Sequence, residues 1–200
     1  MATVKDTKEL AYKSRLVNAD IWWKRLLDVQ RPYRANLKRL GLKNVLDVGC
    51  GIGRNLTNLQ KLGVSTIGVD HNEHSVAEAR ARGHEAITTA EFVPRFAQNH
   101  EHFDAILISH VLEHMSLSEA VELLKFYVLY LKPGGQLVAI TPQEAGYKTD
   151  PTHVNFVDLD ALQSAMMEVG LRFEKGYSFP FPRWVGKFFP YNEFIAVGRK

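Results

Sequence analysis

Three glycines at alternate positions, Gly49, Gly51 and Gly53, stand directly behind the apolar run Val45-Leu46-Asp47-Val48. Glycine accepts backbone angles closed to other residues and lets a ligand lie against the main chain. A loop of this kind, opening into a helix, is a nucleotide site in many α/β folds. Carboxylates flank it: Asp47 inside the run, and Asp70 at the end of the next apolar run. A second group of reactive side chains lies further on. His110, Glu113 and His114 follow Phe103–Ser109, and Tyr147, Asp150 and His153 follow Gln136–Thr141. A loop histidine with an aspartate three residues away, as in Asp150 and His153, can serve as a general base with an orienting partner. His153 could equally tie its loop to the core or to the His114 segment.

These groups need elements to hold them. Asn44–Val48, Ser65–Val69, Glu85–Thr88, Phe103–Ser109 and Gln136–Thr141 read as strands of branched apolar residues. Between them Arg54–Leu62, His74–Arg82, Ala90–Gln98 and Leu117–Leu131 read as helices, with Gly63, Gly83 and Pro133-Gly134-Gly135 as stop signals. Pro94 weakens the third of these helices. Alternating strands and helices predict a parallel sheet covered on both faces. After the helix Leu159–Val169 the pattern changes. Leu171–Ser178 and Glu193–Arg199 are strand-like with no helix between them, which predicts a hairpin-like pair and an antiparallel last strand. The expected fold is therefore α/β, a single-domain Rossmann-like sheet of seven mostly parallel strands.

Upstream, apolar residues at 22, 26, 29, 33, 37 and 40 form a helical stripe, broken near Arg31 by Pro32 and ended by Gly41. Residues 1–41 are read as a helical lid or extension, and residues 42–200 as the main domain. Residues 1–45 hold eleven Lys/Arg against four acids, +7, and the remainder carries 14 − 18 = −4 of the +3 total. That asymmetry admits an anionic substrate, an acidic partner or nucleic acid, or simply a solvated helical face. No apolar run approaches the roughly 18 residues of a membrane span. The first residues show no apolar signal core, and the one cysteine, Cys50, excludes an internal disulfide, so a cytoplasmic setting is the expectation.

Which nucleotide the loop holds can be narrowed. A dinucleotide fingerprint wants a third spaced glycine where Arg54 stands, and a phosphate-binding P-loop wants Gly-Lys-Ser/Thr, which is missing. The segment Val45-Leu46-Asp47-Val48-Gly49-Cys50-Gly51-Ile52-Gly53 instead resembles the first motif of class I S-adenosylmethionine-dependent methyltransferases. Gly68-Val69-Asp70, Phe103–His114 and Leu131–Leu137 resemble that family's later motifs in the same order. The fourth-strand segment resembles the small-molecule branch.

The resemblance implies S-adenosylmethionine as cofactor. It implies that Asp70 receives the ribose hydroxyls, with His71 beside the adenosine, and that Asp47 lies near the methionyl ammonium. Gly49, Gly51 and Gly53 would bring the backbone against the cofactor. Ser109 and His110 would lie by its methionyl part, and Thr89 would begin the adenine-edge segment, where the family commonly has an acid. His153, His114 and Asp150 are the candidate catalytic residues. Trp22 and Tyr33 in the lid, and Tyr147, are candidates to wall the acceptor. The turn from Phe179 to Pro190, aromatic and basic, could hold a substrate, touch a membrane surface or form a homodimer contact.

Methyl transfer leaves a weak mark of its acceptor, because a base is needed only for a poor nucleophile such as a neutral hydroxyl. The base-amino motif Asp/Asn-Pro-Pro-Tyr/Phe is missing after Phe103–Ser109. Cys50 sits in the loop, where it cannot add to a pyrimidine ring, and reads as a small packed residue. No RNA-binding module is recognisable. His110, His114, His153 and Asp150 have ligand-type side chains but no tight metal-ligand spacing, so no metal is expected. The expectation is a methyltransferase acting on an O or N atom of a small molecule from a biosynthetic or glycan pathway. An RNA or protein methyltransferase, and a cofactor-binding partner without catalysis, stand as alternatives.

Overall fold

The computed structural model describes residue 28 and residues 30–200. Trp22, and the stripe positions 22, 26 and 29, lie outside these. Among the described residues the first element is helix α1 (Arg31–Leu40), which starts with Pro32 in its first turn and ends at Gly41 with φ 68°. Pro is tolerated there because the first-turn N–H groups have no partner within the helix.

Strands β1 (Asn44–Val48), β2 (Ser65–Asp70), β3 (Ala86–Thr88), β4 (Phe103–Ser109), β5 (Leu131–Pro142), β6 (Arg172–Phe179) and β7 (Glu193–Arg199) form one sheet in the order β3-β2-β1-β4-β5-β7-β6. The pairs from β3 to β5 are parallel, and β7 runs antiparallel to both β5 and β6. Helices α2 (Arg54–Gln60), α3 (Glu73–Ala81), α4 (Thr89–Phe96), α5 (Leu117–Val128), α6 (Glu144–Tyr147) and α7 (Leu159–Glu168) connect the strands.

Side chains alternate across a strand. Leu46, Val48, Ile106 and Ile108 join Phe92, Leu124 and Leu162 in one buried cluster. Val45, Ala105 and Leu107 join Leu37, Leu40 and Leu59 in another. Both faces of the central strands are therefore covered, as their uninterrupted apolar runs require. Helix starts are fixed by short polar side chains. Asn72 caps α3, Thr88 with Glu91 and Ser116 with Glu119 form capping boxes on α4 and α5, and Asp158 caps α7.

One boundary departs from the sequence pattern. Apolar spacing carries the expected helix on to Leu131, but α5 ends at Val128 and Leu131 already belongs to β5, paired with Phe103. Lys132–Gly135 then bulges out before pairing resumes at Ala105 and Gln136. Leu131 is fully buried, so its apolar character serves the sheet and not the helix. Pro94 sits inside α4 without ending it.

Order reverses between β1 and β4, which part toward connections on opposite faces. The crevice beyond their carboxyl ends is where open α/β sheets bind ligands, and the loops after β1, β2, β4 and β5 meet there.

Candidate active site

Gly49, Gly51 and Gly53 take φ values of 74°, 52° and 84°, a region that strains any other residue. The loop is pinned to the neighbouring strand, since the N–H groups of Gly49 and Cys50 both donate to the Val69 carbonyl, at 2.8 and 3.1 Å. A Cβ on Gly49 would stand 2.2 Å from Val111 Cγ2, and one on Gly53 would stand 2.6 Å from His84 Cδ2. Protein side chains therefore already press against two of the glycines. Cys50 is buried with Leu56, Val76, Ala79 and Ala86, and burial pushes its thiol up, which makes it a packing residue.

The two acids differ. Asp70 at the tip of β2 accepts from Gly51 N–H at 2.8 Å and from Asn72 N–H at 2.9 Å. The cap of α3 is Asn72, so Asp70 is not a helix cap; it holds the glycine loop. Asp47 takes no part in that task. Asp47 is fully buried, and neither carboxylate oxygen has a hydrogen-bond partner. Burial pushes its carboxyl up to about 8; the Asn55 side chain acts against this from outside good hydrogen-bond geometry, and Asp70 adds to it. His71 is largely exposed, with Nδ1 3.5 Å from Asp70 Oδ1. Thr89 is the exposed first residue of α4, next to the Thr88 cap.

At the end of β4 the chain turns sharply, and His110 has φ 57°. Its Nδ1 meets Glu113 Oε1 at 3.1 Å and its Nε2 meets Glu193 Oε1 at 2.8 Å. Burial alone would lower its pKa, but the two carboxylates overcome this and raise it to about 10. With 44% of the side chain exposed, the burial penalty is modest and the carboxylates decide the charge. His110 is therefore an imidazolium at neutral pH and not a base. The second oxygens of Glu113 and Glu193 are buried without partners. Ser109, the last residue of β4, is half-buried and pairs with Ile140.

The histidines after β4 and β5 come together, with ring centroids of His114 and His153 4.7 Å apart. Asp150 does not orient the His153 ring as the spacing suggested. His153 Nδ1 lies 2.7 Å from the Tyr147 carbonyl, which can only accept, so Nδ1 carries the proton. The Asp150 carboxylate takes the Thr152 hydroxyl proton at 2.7 Å, and Thr152 Oγ1 is 3.1 Å from His114 Nδ1. Asp150 thus orients His114 through Thr152. Both rings are left with a free Nε2 lone pair. Tyr147 stacks on His153 at 5.4 Å. Tyr33 donates to the Tyr191 carbonyl at 3.2 Å and meets Phe179 edge-on, so it ties α1 to the β6–β7 turn.

The arrangement combines a glycine loop, an acid at the tip of the neighbouring strand and a buried acid without a partner, on a sheet in this order. The family model described as a methyltransferase domain matches residues 25–175. The chain belongs to the class I S-adenosylmethionine-dependent methyltransferases. A methyltransferase of known structure from Archaeoglobus fulgidus superposes with a TM-score of 0.68 at 21% identity, over 88% of this chain and 99% of that one. The magnesium protoporphyrin IX methyltransferase of Synechocystis PCC 6803, solved with bound S-adenosylmethionine, gives 0.61 at 16% identity over 88% and 79%. Both likenesses concern the fold. Among curated relatives, the ubiquinone biosynthesis O-methyltransferase of Bradyrhizobium diazoefficiens is 36% identical over 114 residues, 53% of this chain and 42% of the relative. That of Aliivibrio fischeri is 31% identical over 100 residues, 48% and 42%. The methyltransferase chain thus spans about half the length of the curated relatives it matches.

The residues present fit the family's cofactor, S-adenosylmethionine. An ammonium is what a buried carboxylate without a donor lacks, and Asp47 is such a carboxylate. Glu193, Thr152 and Asn72 were not legible as site residues. Glu193 lies 83 positions from His110, and only the β5–β7 pairing brings it to the crevice.

Proposed function

We propose that this chain transfers the methyl group of S-adenosylmethionine to an oxygen of a small-molecule acceptor. The observation that carries the reading is Asp47, wholly buried under the glycine loop with neither oxygen bonded. In this reading Asp47 holds the cofactor's ammonium. Asp70 receives its ribose hydroxyls while keeping the Gly51 and Asn72 N–H groups. His71, Thr89, Ser109 and His110 border the same crevice. When bound, the cofactor supplies a methyl group on a positively charged sulfur, already activated for displacement. The protein's task is then placement in a dry pocket.

A neutral hydroxyl also needs a proton acceptor. His153 offers one at Nε2, with its ring held by the Tyr147 carbonyl. His114, held through Thr152 and Asp150, offers a second. Two oriented imidazole lone pairs favour an oxygen acceptor over an amine, and the names of the curated relatives agree. Tyr147, Tyr33 and Trp22 are proposed to wall the acceptor, and the setting is proposed to be cytoplasmic. Among the described residues no helix is long and apolar enough to cross a membrane.

The test is transfer of labelled methyl groups from S-adenosylmethionine to a panel of phenols, catechols and sugars, with total RNA and denatured protein as competing acceptors. Label in a small-molecule fraction supports the reading. Label confined to RNA or protein favours the alternative that the basic N-terminal region suggests. Cofactor binding with no transfer to any acceptor favours a partner protein.

A further inference from the structure

We propose that Glu113, His114 and His153 form a binding site for a divalent transition-metal cation. Each offers one ligand atom, and these atoms all lie within 4.8 Å of one another. Two imidazoles and one carboxylate are an ordinary ligand set for zinc, cobalt or ferrous iron.

The hydrogen bonds around the three residues point the same way. Metal-bound histidines usually donate their other ring N–H to a carbonyl or an acceptor in a carboxylate chain, which fixes the ring and frees the ligating nitrogen. His153 Nδ1 faces the Tyr147 carbonyl at 2.7 Å. His114 Nδ1 faces Thr152 Oγ1, whose own proton goes to Asp150 Oδ1. Both Nε2 atoms are therefore lone-pair donors. Glu113 is fully buried, its Oε1 is taken by His110 and its Oε2 has no partner. A buried carboxylate oxygen with nothing to accept is costly unless a cation or donor reaches it.

The backbone holds the parts in place from two loops: Glu113 accepts Val154 N–H and Asn155 N–H at its own carbonyl, at 2.9 and 3.2 Å, which locks the His153 loop against the β4 loop. Ligand atoms around tetrahedral zinc stand roughly 3.3 Å apart. Side-chain adjustment of at most about 1.5 Å closes the set from 4.8 Å. Three protein ligands leave an open position on the ion. Ion binding and proton acceptance use the same Nε2 atoms, so a metal-loaded chain has no free imidazole base here.

The experiment is calorimetric titration of the untagged, full chain with zinc chloride, and absorption spectroscopy with cobalt chloride. The wild-type chain is expected to bind one zinc, and His153→Ala and His114→Ala are each expected to weaken it by at least about tenfold. His74→Ala, an exposed histidine outside the cluster, is expected to change nothing. The cobalt-loaded wild type is expected to show visible d–d bands of a low-coordinate site, a readout that needs no variant. Equal zinc affinity in wild type and both cluster variants overturns the proposal, as does a wild type without saturable binding or without cobalt bands. S-adenosylhomocysteine binding is measured in parallel, so loss of the metal site and loss of the cofactor site read out separately.

Discussion

Replacing Asp47 with Asn should make the chain more stable and less able to bind its cofactor. Burial pushes the Asp47 carboxyl up to about 8, against about 3.9 in an unfolded chain. A raised carboxyl pKa means that folding takes up a proton wherever the unfolded chain is ionised. The resulting loss of stability is absent below about pH 4, grows from pH 4 to 8, and levels off above that. At pH 7 it amounts to about 1.36 × (7 − 3.9), or ~4 kcal/mol. An amide carries no such proton linkage but leaves its own unbonded groups buried, so Asp47→Asn is expected to gain about 2–4 kcal/mol. For a chain of this size that raises Tm by at least about 4 °C. Cofactor binding should reverse the sign, since an ammonium beside Asp47 ionises it. Titration with S-adenosylhomocysteine in buffers of different ionisation heat should then release about 0.9 proton at pH 7 and clearly less at pH 9, where Asp47 is already ionised and the ligand's own amine takes up protons as it binds. A variant that melts lower and keeps its affinity, or proton release that does not change with pH, refutes the reasoning.

Other parts of the site give sharper local tests. Gly49→Ala meets Val111 Cγ2 at 2.2 Å and must hold φ 74°; it should lower stability by about 2 kcal/mol or more, read by urea unfolding, and abolish S-adenosylhomocysteine binding. His110 has a folded pKa of about 10, so its contribution is full below pH 6.5 and is lost as pH rises through 10. Discounted for an imidazole that is 44% exposed, the loss between pH 6 and 10 should be about 2 kcal/mol, and His110→Gln should flatten that part of the stability profile. Cys50 is buried and its thiol is pushed up, so iodoacetamide should leave the native chain unlabelled at pH 8 and label it in urea.

Much of this frame is legible in the sequence because its signals are local. The run Val45–Val48, the glycines behind it and the acid at Asp70 each depend on a few neighbouring residues, and β1, β2 and β4 form as their apolar runs indicate. Pro32 and Gly41 likewise mark the ends of α1 through backbone angles alone. Leu131 misleads because apolar spacing does not say which partner buries a side chain, and the sheet claims it. The acceptor end was legible in residue types but not in roles. Asp150 and His153 are three apart, yet a tight turn gives Asp150 the Thr152 hydroxyl and gives His153 the Tyr147 carbonyl. Glu193 reaches His110 only because β7 inserts beside β5, a long-range pairing that no local pattern encodes. The aromatic turn is mixed: Gly186 is buried against Gln143, while Trp184 and Phe188 are 66% and 80% exposed.

The most direct test of the central claim is calorimetric titration of S-adenosylhomocysteine into the wild-type chain and into Asp70→Ala. Asp70 carries the Gly51 and Asn72 N–H groups that shape the loop, and the proposed reading also gives it the ribose. One saturable site in the wild type, and none in a variant whose circular dichroism is unchanged, is the predicted result. No binding by the wild type, or equal binding by a folded Asp70→Ala, would contradict the account.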